Sequence, residues 1–213
     1  MQQLGWRFPE DTLKRTNITN EAILLRSTVY WLRSGSVGIL CFRGTEPKNV
    51  LTWLSNMTFE MERFRTVGKV HSGFYRTMLP VLPAIVSWLD EEPEQSPNLP
   101  HTPKCAPLDT ILICGHSLGA AQAVLATAML YADPQFARFR DKVHGVYCYG
   151  QPLVGDKVFS EWGNDKFGSL LFQHIYEKDP IPHFPPRLYG PFTTFGQDYV
   201  STSDTQFNVG HDL

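Results

Sequence analysis

Ile111-Leu112-Ile113-Cys114-Gly115-His116-Ser117-Leu118-Gly119-Ala120 is the stretch that decides how this chain folds. Ile111 to Cys114 reads as a buried strand, and the alanine-rich run Leu118 to Tyr131 reads as a helix. Ser117 falls in the sharp turn between them. A serine held there is pushed out beyond the sheet edge with its hydroxyl exposed. Glycines flank it because a Cβ at those positions would collide with the neighbouring strand and helix. The pentapeptide Gly115 to Gly119 carries little weight alone. The strand before it and the helix after it mark it as a nucleophile elbow.

The rest of the composition narrows the class. A chain of 213 residues can bury a substantial core, and a single domain over residues 1–213 is expected. Hydrophobic residues make up 42% and charged residues 19%, with a net charge of −2 and no Lys/Arg run, which excludes a nucleic-acid partner. No apolar stretch is long enough to span a membrane. Met1 to Glu10 lacks a basic start followed by an apolar core, so it is not a signal peptide. Cys41, Cys114 and Cys148 each fall in an expected core strand and Cys105 in a loop, without metal-ligand spacing. Such cysteines are read as small buried hydrophobes and lean towards a reducing compartment.

Along the chain, Ala22–Trp31 and Val37–Phe42 form an expected hairpin around Arg33-Ser34-Gly35-Ser36. A turn at Arg43-Gly44-Thr45-Glu46-Pro47 precedes Val50–Met61, where Val50, Trp53, Leu54, Met57 and Met61 share a face at helical spacing. Val70 to Phe74 reads as a short strand entering a helix, which Pro80 and Pro83 interrupt before Asp90. Five prolines make Glu92 to Leu108 a surface loop. Beyond the elbow come a strand at Val143–Tyr149, a helix near Asp156–Phe167 and a strand at Leu170–Tyr176. This alternation predicts a parallel sheet with helices on its faces.

A serine hydroxyl needs a base to take its proton, and the base needs an anion to fix its tautomer. On an elbow of this kind the chain order is serine, acid, histidine. Asp179 is the best acid, because it lies just past the C-terminal end of a strand, the edge where open α/β sheets bind ligands. Two histidines follow it, His183 and His211. His183, four residues on in a proline-rich turn, is poorly placed to reach round towards Ser117. His211 follows an excursion, Arg187 to Asn208, that can return the chain to the elbow, and is the preferred base. The alternatives are a backbone-bonded loop histidine at 183 and an unordered terminal one at 211. His71 is read as ordering its own turn, and His116 and Gly119 as structural parts of the elbow.

Five motifs in this order resemble the class 3 lipases, the fungal-type lipase family of α/β-hydrolases. They are Phe42-Arg43-Gly44-Thr45, Val70-His71-Ser72-Gly73-Phe74, Gly115 to Ala120, Gly150-Gln151-Pro152 through Gly155-Asp156, and Asp179-Pro180-Ile181-Pro182-His183. The resemblance covers nearly the whole chain. It implies an α/β-hydrolase fold with a mostly parallel sheet flanked by helices and a short helical lid. Ser117, Asp179 and His211 match the family's triad positions. Thr45 matches the residue whose N–H and hydroxyl serve the oxyanion hole, and the N–H of Leu118 is the implied second donor. Thr45 read without the family is a turn hydroxyl capping the next helix. Val50, Leu51, Trp53, Leu54 and Met57 correspond to the lid, which covers the acyl pocket when closed and meets lipid when open. The same stripe would also suit a fixed helix packed on the core.

The resemblance thus implies a serine hydrolase of carboxylic esters, foremost a triacylglycerol lipase, acting through an acyl-enzyme with neither metal nor cofactor. Its substrate would be an acylglycerol or other ester, met at a lipid–water interface by a monomer. Phospholipase A1 and a short-chain or feruloyl-type carboxylesterase are the alternatives, with a non-catalytic lipid-binding relative behind them. Family precedent points to secretion, against the lean of the cysteines. Three departures stand out. Asn56 replaces the Asp common in relatives, the chain starts late, and it ends two residues after His211, so a loosely held histidine is expected.

Overall fold

The computed structural model describes residues 13–20, 25–44, 59–91, 107–176, 178–201 and 207–209. Strands β1 (Leu13–Asn20), β2 (Leu25–Ser34) and β3 (Val37–Arg43) open the chain. Two short strands, β4 (Met61–Arg63) and β5 (Lys69–His71), lead into helices α1 (Ser72–Met78) and α2 (Leu82–Asp90). The elbow strand β6 (Thr110–His116) enters α3 (Leu118–Ala132), followed by α4 (Ala137–Arg140) and β7 (Val143–Tyr149). Then come β8 (Gly155–Asp156), α5 (Lys157–Phe167), β9 (Leu171–Tyr176), β10 (Phe192–Thr193), β11 (Gln197–Ser201) and β12 (Phe207–Val209).

Eight strands form the main sheet in the order β1-β2-β3-β6-β7-β9-β11-β12. The five from β3 to β11 are parallel to one another, and antiparallel partners close both flanks. The hairpin forms as expected: Ser34 pairs with Val37 across a Gly35-Ser36 turn, and β2 continues to Thr28 opposite Arg43. The proline interruption is also present. α1 ends at Met78, and α2 starts afresh with Pro83 in its first turn, where a missing N–H costs no helical bond.

α3 explains its own composition. Every residue from Leu118 to Leu130 is buried, so this helix is apolar all round. It packs on β3, β6 and β7 on one side and on α1 on the other, and its alanines let the backbones approach closely. Beneath it, Trp31, Leu40, Phe42, Ile111, Ile113 and Val146 are fully or nearly fully buried. One polar knot crosses this core: Gln122 Nε2 donates to Ser27 Oγ (2.6 Å) and Thr77 Oγ1 (3.0 Å), tying α3 to β2 and α1.

A second, four-stranded sheet in the order β10-β8-β5-β4 was not expected as a sheet, although its β5 is the short strand read at Val70. It corrects one of the sequence expectations. Met61, read as the end of a helix from Val50, is in β4 and pairs with His71; residues 50–58 lie outside the described part. A second correction concerns the cysteines. Cys148 is buried, but Cys41 and Cys114 are only half-buried. Parallel register puts those two on the face opposite α3, whereas Cys148 reaches the Ala120 carbonyl on the α3 side. No helix among the described residues is long and apolar enough to cross a membrane.

Candidate active site

The site is built at the C-terminal edge of the parallel strands. β6 delivers Ser117 in a backbone conformation of φ 53° and ψ −124°, one of two non-glycine residues with positive φ among those described. Such a conformation costs about 1–3 kcal/mol and persists only when its surroundings impose it. Here they do. The Ser117 N–H donates to the Tyr149 carbonyl at the end of β7 (2.9 Å), and its own carbonyl accepts from the Ala120 N–H (2.9 Å) in the first turn of α3. The hydroxyl is the part left over, although the expected exposure is not seen: Ser117 is buried, and its Oγ has no hydrogen-bond partner among the described residues.

β9 delivers Asp179. Its N–H donates to the Tyr176 carbonyl (2.8 Å), and its Oδ1 accepts from the Ile181 N–H (3.0 Å), a tight local turn that aims the carboxylate. The second oxygen turns inward. A Cβ built on Gly150 would stand 2.5 Å from Asp179 Oδ2 and 3.9 Å from His116 Nε2. Gly150 itself has φ +55°, and its N–H donates to the His174 carbonyl (3.0 Å). The turn after β7 must therefore be glycine on two counts, backbone conformation and room for the acid. The sequence motif contained Gly150, but nothing in it pointed to this task.

The Leu118 N–H is the first amide of α3, one of the four without a partner inside a helix. At the end of β3, Gly44 lies against the His116 carbonyl so closely that a side chain there would collide with it. Gly44, which precedes Thr45 in the chain, is thus pressed on the elbow. Thr45 itself lies outside the described residues, as do His211 and the segment with Val50, Leu51, Trp53, Leu54 and Met57. The structure therefore brings together Ser117, Leu118 and Asp179, and is silent on the others.

His71 behaves as its turn required. Its Nδ1 accepts from the Gly73 and Phe74 N–H groups (3.1 and 3.4 Å) and caps α1. The ring is buried, stacks on Phe74 at 4.2 Å, and meets Phe59 edge-on at 6.5 Å. Burial lowers its pKa to about 4, so the imidazole is neutral at ordinary pH. His183 is exposed in a single turn of 3₁₀ helix after Asp179.

The family model described as Lipase (class 3) matches residues 39–189. The chain belongs to this family. A lipase of Rhizomucor miehei is 27% identical over 172 residues, 80% of this chain and 43% of its own length. The chain thus spans less than half of that relative. Among solved structures, lipase II of Rhizopus niveus is 24% identical with a TM-score of 0.69, over 93% of this chain and 70% of its own. A triacylglycerol lipase whose catalytic centre is a serine protease triad gives a TM-score of 0.71 at 24% identity, with the same two shares. These likenesses, with the mixed but mostly parallel sheet and the elbow, make the fold of this class 3 lipase chain that of the α/β-hydrolases.

Proposed function

We propose that this chain hydrolyses carboxylic esters of the acylglycerol class through an acyl-enzyme on Ser117. The observation that carries the reading is the placement at one sheet edge of the Asp179 carboxylate and of Ser117, whose strained backbone holds a hydroxyl without a partner among the described residues. In this reading His211 takes the proton from Ser117 Oγ as the oxygen attacks the ester carbonyl. Asp179 fixes the His211 tautomer and stabilises the imidazolium. The Leu118 N–H, already without a helical partner, meets the oxyanion, and Thr45, next in the chain to Gly44, supplies the second donor. Collapse of the tetrahedral intermediate breaks the ester C–O bond, and the alcohol leaves with the proton held by His211. Water then attacks the acyl-enzyme by the same route and releases the carboxylic acid.

The kinship to a triacylglycerol lipase with a serine triad supports acylglycerols as substrate. The apolar stripe Val50, Leu51, Trp53, Leu54 and Met57 supports a lid that opens on a lipid surface. The test is direct. Ser117→Ala should abolish p-nitrophenyl ester hydrolysis and covalent capture of a fluorophosphonate, and turnover surviving the substitution would end the mechanism. A chain-length series with and without emulsified substrate tests the substrate class. A preference for soluble short esters without gain from an interface would mean an esterase instead.

A further inference from the structure

Cys41 and Cys114 stand directly opposite each other on the adjacent parallel strands β3 and β6. Both are unbridged and half-buried, on the face of the sheet opposite α3. Cys148, the third strand cysteine, is buried on the α3 side, donates to the Ala120 carbonyl (3.7 Å), and has its thiol pKa pushed up by burial. The pair is therefore set apart chemically from its neighbour. The two thiols act on each other: interaction with Cys114 lowers the Cys41 thiol to about 7, while Cys41 and burial push Cys114 up. These directions suit Cys41 to attack and Cys114 to resolve. Tyr30, Arg43, His116, Tyr147 and Tyr149 are titratable or charged residues at the neighbouring positions of the same face.

We propose that Cys41 and Cys114 form a peroxide-oxidisable dithiol whose closure to a disulfide slows the enzyme. The Cys41 thiolate attacks a peroxide oxygen; the O–O bond breaks, sulfur is oxidised to the sulfenic acid, and the peroxide is reduced to water. The Cys114 sulfur then attacks the Cys41 sulfur, the S–O bond breaks, and the departing hydroxide takes the Cys114 proton to leave as water. Dithiol and hydrogen peroxide thus become a disulfide and two waters. Neighbouring strands run about 4.8 Å apart, inside the Cα separation that a disulfide tolerates. Bridging still demands that the strands adjust, and a strained bridge is readily reduced again.

The adjustment would be felt at the chemistry. Cys114 lies three residues before Ser117, and Cys41 lies on the strand that leads to Gly44 and Thr45. Gly119, in the first turn of α3, already touches the Phe42 carbonyl so tightly that no side chain fits between them. β3 cannot shift against β6 without moving the elbow, and small misplacements of reacting groups cost large factors in rate. The dithiol stands on the facing of Cys41 and Cys114 in the parallel register, whereas the slowing rests on the hydrolytic reading above.

The experiment treats the reduced full chain with hydrogen peroxide, then maps peptides without reductant and follows ester turnover. The expected product is a Cys41–Cys114 cross-linked peptide, with at least about a tenfold loss of turnover that dithiothreitol restores. Cys114→Ser should leave a sulfenic acid at Cys41 that dimedone traps, and Cys41→Ser should keep its turnover through the same treatment. An unmodified Cys41, a cross-link without loss of turnover, or equal loss in the Cys41→Ser chain would each overturn the proposal. A reduced chain that turns over no ester overturns the hydrolytic reading instead, and peptide mapping still decides the dithiol.

Discussion

The serine corner and the acid corner share one sheet edge, yet they are fixed by different means. Ser117 is set by backbone: a strained φ, a bond to the Tyr149 carbonyl, and an α3 whose Gly119 is jammed against β3. Its supports are the core itself. Asp179 is set by a short loop, through the Ile181 N–H and the flanking prolines, with the room left by Gly150. That loop leans on the second sheet. Leu153, after β7, donates to the Phe184 carbonyl (2.7 Å), and Phe184 meets Phe59, which in turn meets His71. The contrast teaches that disturbing the supports of the first corner should cost chemistry and stability together, whereas at the second the two separate.

The strongest separation is expected for Asp179→Asn. The amide oxygen can still accept from Ile181, so the melting temperature should stay put, while kcat falls on the order of 10³–10⁴-fold as the histidine loses its anion. A kcat within about tenfold of the parent would remove Asp179 from the reaction.

Next in size is the acid sensitivity of the second sheet. His71 has a folded pKa of about 4 against 6.5 for an unperturbed histidine. Between those values the unfolded chain binds a proton that the folded chain refuses, so stability drops as pH falls through that window and is unaffected by this group above it. The loss should reach about 2–3 kcal/mol near pH 4. Urea unfolding at pH 7 and at pH 4.5 measures it. His71→Asn, which keeps an N-cap, should flatten the difference, and an unchanged slope in that variant would assign the acid loss to other groups.

The smallest effect tests the serine corner. Gly119→Ala should cost about 2 kcal/mol through collision with the Phe42 carbonyl, and kcat should fall in parallel because the elbow shifts with the helix. A melting temperature that falls while kcat does not would show the two to be uncoupled.

The elbow was legible in the sequence because strand, turn and helix are consecutive and their glycines carry local steric meaning. The place of Asp179 just past the end of a strand was legible as well. The strands β4, β8 and β10 were not, since two or three residues show no periodicity, and only pairing makes them strands. β1, Leu13-Lys-Arg-Thr-Asn-Ile-Thr-Asn, is polar enough to read as loop and is a strand by virtue of its partner β2. Met61 fitted a helical stripe because spacing of apolar residues does not distinguish the end of a helix from an extended segment. The half-burial of Cys41 and Cys114 was hidden for a related reason. The apolar runs of central strands do not say which face carries the covering helix.

The positive φ of Ser117 has a consequence on an evolutionary scale. Of the residues that fit this turn, glycine would relax it and serine holds it under tension. A descendant released from the proposed chemistry could take glycine there and become more stable, so a lineage that kept that chemistry would keep a chain less robust than its own fold permits.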